Sequence, residues 1–264
     1  MKNLFSVEGR VVVVTGGSRG IGEMIAAGYL ANGAKVYITS RKAEVCNATA
    51  QRLAEAWGGE CISIPADMAT LEGIEGFVSE LSSREAHVDV LVNNAGVAWG
   101  APLEEFPEIG WDKVMDTNVK GVFFLTQKLL PLLEQNAAHD APSHIINVGS
   151  IDGIKTPIFD NFSYGPSKAV VHHLTRVLAA HLIKRNIIVN GIAPGPFPTY
   201  MLSAGVGAGG DTENTDWDAL GKSNPRGRVG TPEDIAGLAI FLSSRASGFT
   251  VGDVITCDGG SVVS

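Results

Sequence analysis

Short, mostly β-branched apolar runs alternate along this chain with longer stretches in which apolar residues recur every three or four positions. Residues 11–15, 35–39, 61–65, 88–92, 144–148, 187–192 and 251–257 read as strands. They are apolar with little alternation, the pattern of parallel strands covered on both faces. Between them, residues 20–32, 43–57, 71–83, 110–133, 163–184 and 232–242 carry helical periodicity. The alternation predicts an α/β chain: a single-domain Rossmann-type, doubly wound parallel sheet of about seven strands with helices on both faces. One interval breaks the rhythm. Residues 201–230 hold a glycine-rich piece, 204–210, and then a polar one, 211–216. Such a loop is either ornament or a functional lid, and its place after a strand's carboxyl end favours a substrate lid near 200–230 within one catalytic domain spanning 1–264.

Composition narrows the class. The chain has 264 residues, 45% of them hydrophobic, and 32 glycines, with no low-complexity tract; this fits a turn-rich α/β enzyme. A net charge of -8 argues against a nucleic-acid or anionic-membrane surface. The apolar run at 11–14 is too short for a signal peptide or a membrane span, so a cytoplasmic protein is expected. Cys46, Cys61 and Cys257 are scattered singly, so inert thiols are expected, without a disulfide framework or metal site.

Two motifs carry chemistry. Thr15-Gly16-Gly17-Ser18-Arg19-Gly20-Ile21-Gly22 follows a predicted strand and opens a predicted helix. Glycines at 16, 20 and 22 let the backbone approach a pyrophosphate that faces the free amides of a helix N-terminus. Tyr164 and Lys168 lie four apart on a predicted helix and so point to one side. A nearby ammonium favours the phenolate, which predicts a tyrosine more acidic than its ordinary value of about 10. Alone, that spacing is common. Its weight comes from Ser150 shortly upstream, Asn93-Asn94-Ala95-Gly96 after the fourth predicted strand, Asn118, Pro194-Gly195-Pro196-Phe197-Pro198-Thr199 and Asp258-Gly259-Gly260.

With these motifs in this order, nearly end to end, the chain resembles the short-chain dehydrogenase/reductase family in its single-domain branch. Within it the likeness is to bacterial 3-oxoacyl reductases of the kind associated with rhamnolipid synthesis. The resemblance implies that Tyr164 exchanges a proton with the substrate oxygen as hydride passes to or from a nicotinamide. It implies that Ser150 hydrogen-bonds that oxygen. Lys168 would acidify Tyr164 and grip the nicotinamide ribose, and Asn118 would hold a water leading to Lys168. Implied cofactor contacts are Gly16, Ser18, Arg19, Gly20, Ile21 and Gly22 in the first turn and Asn94, Ala95 and Gly96 after the fourth strand. Pro194, Gly195, the backbone near Phe197, and Thr199 would meet the nicotinamide end. Asp67, with Met68, resembles the adenine-contacting position, although an Asp at a strand end serves equally as a helix cap. Ser150 and Tyr164 lie 14 positions apart, one more than the family's usual spacing, which implies an altered pocket loop. The family also implies a homotetramer, or a homodimer.

The coenzyme can be argued physically. An acidic residue at the end of the second strand would hold ribose hydroxyls and repel a 2'-phosphate. Ser40 stands there, followed by Arg41, with Arg19 in the glycine turn. Two guanidiniums converging on a phosphate predict NADP(H).

The segments expected to rim the pocket are apolar: Ile151, Ile154, Ile158, Phe159 and Phe162 in one loop, and Phe197, Tyr200, Met201 and Leu202 in the other. A carbonyl on a hydrophobic body is therefore expected, whether a 3-oxoacyl thioester, a steroid, or an aryl or alicyclic ketone. Lys222, Arg226 and Arg228 either meet an acidic acyl carrier or form a solvated edge. Trp99 lines the pocket or belongs to the core, and His172 and His173 are expected in helix packing or a subunit contact. A different class stays open: a cofactor-sensing or scaffolding protein on the same fold.

Overall fold

The computed structural model describes residues 1–157 and 159–264. Among them the chain forms, in order, β1 (Val11–Thr15), α1 (Gly20–Ala31), β2 (Lys35–Thr39), α2 (Ala43–Trp57), β3 (Cys61–Ser63), α3 (Leu71–Arg84) and β4 (Val90–Asn93). There follow α4 (Glu108–Met115), α5 (Gly121–Glu134), β5 (Ser143–Val148), α6 (Tyr164–Leu182), β6 (Ile187–Pro194), α7 (Tyr200–Gly205), α8 (Trp217–Lys222), α9 (Pro232–Leu242) and β7 (Val254–Cys257). The strands join one parallel sheet in the order β3-β2-β1-β4-β5-β6-β7. The order reverses between β1 and β4, whose register pairs Val12 with Val90 and Val14 with Val92.

Successive strand side chains feed opposite faces, so each strand needs apolar residues throughout. Val12 and Val14 of β1 join Ile25 and Tyr29 of α1, Leu53 of α2 and Ile235 and Leu242 of α9 on one face. Val11 and Val13 join Ile74 and Phe77 of α3, Leu125, Leu129 and Leu133 of α5 and Leu182 of α6 on the other. Burying each such Leu, Ile or Phe contributes about 1.5–3 kcal/mol. Polar caps end the elements where packing alone would not. Thr70 accepts the Gly73 amide at the start of α3, and Thr231 with Asp234 forms a capping box at α9, where Pro232 opens the helix.

Boundaries depart from expectation where pairing overrides propensity. β6 runs on to Pro194 because its last four residues pair with β7, Pro194 opposite Cys257. The helical stretch expected over 110–133 is broken into α4 and α5 by one π-helical turn, Asp116–Lys120. The expected loop at 201–230 folds locally into α7 and α8, held by Thr199 and Asp216 caps and by the buried Ser203 hydroxyl against Asp211 O and Thr215 Oγ1. Among the described residues no helix is long and apolar enough to cross a membrane.

Candidate active site

The sheet's order reverses between β1 and β4, and the carboxyl ends of two such strands flank the crevice in which doubly wound folds bind ligands. From β1 the chain enters the glycine turn, with φ of 64° at Gly16 and 57° at Gly20, values that suit glycine. A Cβ on Gly16 would stand 3.0 Å from the Ala95 Cα, and one on Gly22 only 2.4 Å from the Asn94 amide nitrogen. The two loops are tied together by Thr15. Its hydroxyl accepts the amides of Asn94 and Ala95, each at 2.9 Å, while Asn94 Nδ2 donates to Thr15 O at 2.8 Å and Gly16 O at 3.3 Å. Arg19, at the N-cap of α1, makes no side-chain cap, so the first-turn amides keep their partial positive charge for an anion. A bare glycine backbone beside an uncapped helix start fits the pyrophosphate of a dinucleotide.

At the outer edge Ser40 follows β2 half-buried, and Arg41 is exposed. The Arg19 guanidinium lies 4.8 Å over the ring of Tyr200, the first residue of α7. Thr199, just before it, sits across from the glycine turn, its methyl 3.2 Å from where a Cβ on Gly20 would stand.

The opposite end gathers the candidate chemistry. Ser150 follows β5 and caps a short turn, Ile151–Gly153, its hydroxyl accepting the Asp152 amide at 3.1 Å. Tyr164 opens α6, and one turn on Lys168 is buried with its ammonium donating to Val148 O at 2.9 Å and lying 5.5 Å from the Tyr164 ring centre. Asn118 sits in the π-turn, 1% exposed. Such turns recur at functional sites because they push one residue out of helical register. Its Oδ1 accepts the Val97 amide at 2.9 Å, and its Nδ2 donates to Val97 O and Ser167 Oγ, both at 3.0 Å. Ser167 in turn donates to Tyr164 O at 2.7 Å. A Cβ on Gly96 would lie 3.4 Å from both Asn118 Oδ1 and Lys168 Nζ, so the bare glycine keeps the space between them open.

Burial governs the titration here. It pushes the Tyr164 phenol up to about 12, with the Ser150 hydroxyl pulling it down and the Asp152 carboxylate adding to the rise. It brings Lys168 down to about 8, against the opposing pull of Asp152. The expected acidification of Tyr164 by Lys168 is thus reversed, because desolvation outweighs an ammonium turned towards a carbonyl.

The structure brings Gly16, Gly20, Gly22, Gly96, Asn118, Ser150, Tyr164, Lys168 and Thr199 to one crevice. Pro194 ends β6 there, and Gly195 packs so closely that its Cβ would stand 2.7 Å from Asp258 Cα. Other expected residues have side-chain partners of their own. Asn94 spends its amide on Thr15 and Gly16, as a brace between loops. Asn118 uses both side-chain amide protons and one Oδ1 lone pair inside the chain, which leaves one side-chain lone pair to hold a water. The Phe197 ring is 2% exposed and packs under Gly230 in the core, away from any rim. Met68 and Ile21 point into or against the two cores, and Ser18 is buried with its carbonyl taking the Thr49 hydroxyl. Asp67 turns its carboxylate to the Ala69 amide at 3.0 Å. Trp99 lies against Gly110 of α4 under the Lys113 ammonium. Arg228 grips Asp234 through two bonds of 2.6 and 3.0 Å at an exposed edge. Ile158 lies outside the described residues.

A family model described as enoyl-(acyl carrier protein) reductase matches residues 16–262. The rhamnolipids biosynthesis 3-oxoacyl-[acyl-carrier-protein] reductase of Pseudomonas aeruginosa is 46% identical, over 98% of this chain and 99% of its own. Gluconate 5-dehydrogenase of Gluconobacter oxydans is 38% identical, over 99% and 98%. The solved Pseudomonas aeruginosa RhlG/NADP active-site complex superposes with a TM-score of 0.90 at 45% identity, covering 98% of this chain and 99% of that one.

The chain belongs to the short-chain dehydrogenase/reductase family. It is an oxidoreductase that interconverts ketones and alcohols with a nicotinamide coenzyme. In this short-chain dehydrogenase/reductase the roles that sequence patterns missed are those of braces, played by Thr15, Ser167 and a buried polar ladder. In that ladder Asn93 donates to Asn147 at 2.9 Å and Asn147 to Thr175 at 3.0 Å, tying β4 and β5 to α6 behind the site. For Thr15 and Asn147, a polar residue inside an otherwise apolar predicted strand was the available signal, since buried polar groups need partners.

Proposed function

We propose that the chain reduces a ketone on a hydrophobic, 3-oxoacyl-type substrate with NADPH. The observation that carries this reading is the convergence of Ser150, Tyr164 and Lys168 beside the open space at Gly96, next to the glycine turn. When bound, NADPH supplies a hydride. Tyr164, held protonated by burial, gives its proton to the substrate oxygen as charge grows there. The Ser150 hydroxyl accepts from Asp152 and so keeps its own proton for the same oxygen. Lys168 stands behind Tyr164 to stabilise the phenolate that results, and Asn118, through Ser167, fixes the first turn of α6.

The substrate class is supported by the apolar mouth. Ile154, Phe162, Tyr200 and Met201 are each exposed by more than a third. Phe159 approaches Gly205 of α7, joining the loop after Ser150 to the segment that we read as the lid. A polyhydroxylated sugar acid would want polar partners there; an acyl chain covers these faces. Arg19 and Arg41 are read as the pair that selects the 2'-phosphate. Exposed Leu103, Ile109, Trp111 and Phe123, beside and on α4 and α5, support a homotetramer or homodimer, which sedimentation would test. The test of function is NADPH oxidation, with NADH in parallel, against 3-oxoacyl thioesters, ketosteroids, aryl ketones and 5-ketogluconate. Preferred turnover of the thioesters with NADPH is expected; preference for 5-ketogluconate would overturn the substrate class. Tight NADPH binding without turnover of any of them would favour the sensing role.

A further inference from the structure

His172 lies on α6 one turn beyond Lys168, on the same face, and is 6% exposed. Its imidazole fills the inside of the turn that carries Ser150. A Cβ on Gly149 would stand 2.1 Å from Nε2, and one on Gly153 2.8 Å from Cε1, so both glycines make room for the ring. Nε2 accepts the backbone amide of Ser150 at 3.4 Å. One peptide earlier, the Gly149 amide donates to Ile192 O at 2.7 Å. The backbone leading into Ser150 is therefore held by β6 at Gly149 and by α6 at Ser150.

We propose that His172 is a positioning residue for Ser150, its neutral ring accepting the Ser150 amide and aiming the hydroxyl at the substrate oxygen. This rests on the reading of Ser150 given above. The bond requires a lone pair on Nε2 and hence a neutral ring with its proton on Nδ1. The charged groups acting on it favour that state. Burial, with Lys168 and Arg176 on its own helix, brings its pKa down to about 4, and the Gly153 carbonyl is the acceptor that opposes this. Because the serine must meet a developing charge, a displacement of a fraction of an ångström costs rate rather than coenzyme binding.

His172→Leu removes the acceptor, His172→Gln can restore one, and Ser150→Ala reports what the serine itself contributes. Each is assayed with NADPH and whichever of acetoacetyl-coenzyme A and 5-ketogluconate the wild type turns over, well below its melting temperature. Expected is a loss of about tenfold to a hundredfold in kcat for His172→Leu with KM and NADPH Kd little changed, and recovery of most of it in His172→Gln. Wild-type kcat in His172→Leu overturns the proposal, as does an equal loss in the Leu and Gln variants. Full activity in Ser150→Ala instead overturns the reading of Ser150, and the proposal with it. The wild type supplies a test that needs no variant to fold: nitrogen-15 histidine spectra should show His172 as the Nδ1–H tautomer, and an Nε2–H tautomer overturns the proposal.

Discussion

The two ends of the crevice are built differently. At the Ser150–Tyr164–Lys168 end, Ser150, Lys168 and Asn118 are at most 8% exposed, and Asn118, Ser167 and the Asn93–Asn147–Thr175 ladder fix the floor beneath them. At the Ser40–Arg41 end the chain offers an exposed arginine and a second guanidinium resting on Tyr200. The difference follows from the roles proposed for the two ends. A proton and a developing oxyanion must be met within a few tenths of an ångström in a water-poor place, so that end is braced by buried hydrogen bonds. A 2'-phosphate is recognised by charge, which long side chains deliver at the surface after the ligand arrives.

If that contrast holds, damage at the braced end should be far larger. Tyr164→Phe removes the donated proton and little else, so turnover should fall by about a thousandfold or more while NADPH binding, read by fluorescence, stays nearly intact. Undiminished turnover would remove Tyr164 from the chemistry. Arg41→Asp tests the other end: a carboxylate holds two ribose hydroxyls and repels a phosphate. The NADPH/NADH ratio of kcat/KM should drop by about tenfold to a hundredfold with modest change in the better kcat, and an unchanged ratio would break the assignment. The subtlest effect is in pH. Lys168 sits at about 8 in the folded chain, below its ordinary 10.5, so its ammonium is present below pH 8 and lost above it. Reductive kcat/KM in the free enzyme should therefore decline as pH rises through about 8. For stability the sign is opposite. Burying the ammonium costs free energy below pH 8, and that cost fades between 8 and the unfolded value, so this group favours the fold more as pH rises. Lys168→Arg, always charged, should move the kinetic decline upward; an unmoved decline would assign it to another group.

Much of this was legible in the residues. Apolar runs without alternation announced buried parallel strands, and β1, β2, α2 and α9 begin and end where the pattern placed them. The glycine turn and the Tyr164–Lys168 spacing are local signals, set by backbone geometry within one or two turns, and so they can be read from order alone. Other features depend on groups distant in the chain. Asn118, in the break between α4 and α5, is partnered by Val97 and Ser167, 21 and 49 residues away. Phe197 looks like a pocket aromatic until Gly230 is folded over it. Tyr164 looks acidified by Lys168 until burial is counted.

The sequence by itself determined which segments would be strands and helices, and which short motifs could hold a pyrophosphate or move a proton, because these depend on side-chain period and local backbone freedom. Only the tertiary structure decided where polar groups found partners and how far each lost its water. Thr15 reaching Asn94 and His172 reaching Ser150 are contacts across 79 and 22 positions that no periodicity encodes, and they give the crevice its shape and its charge.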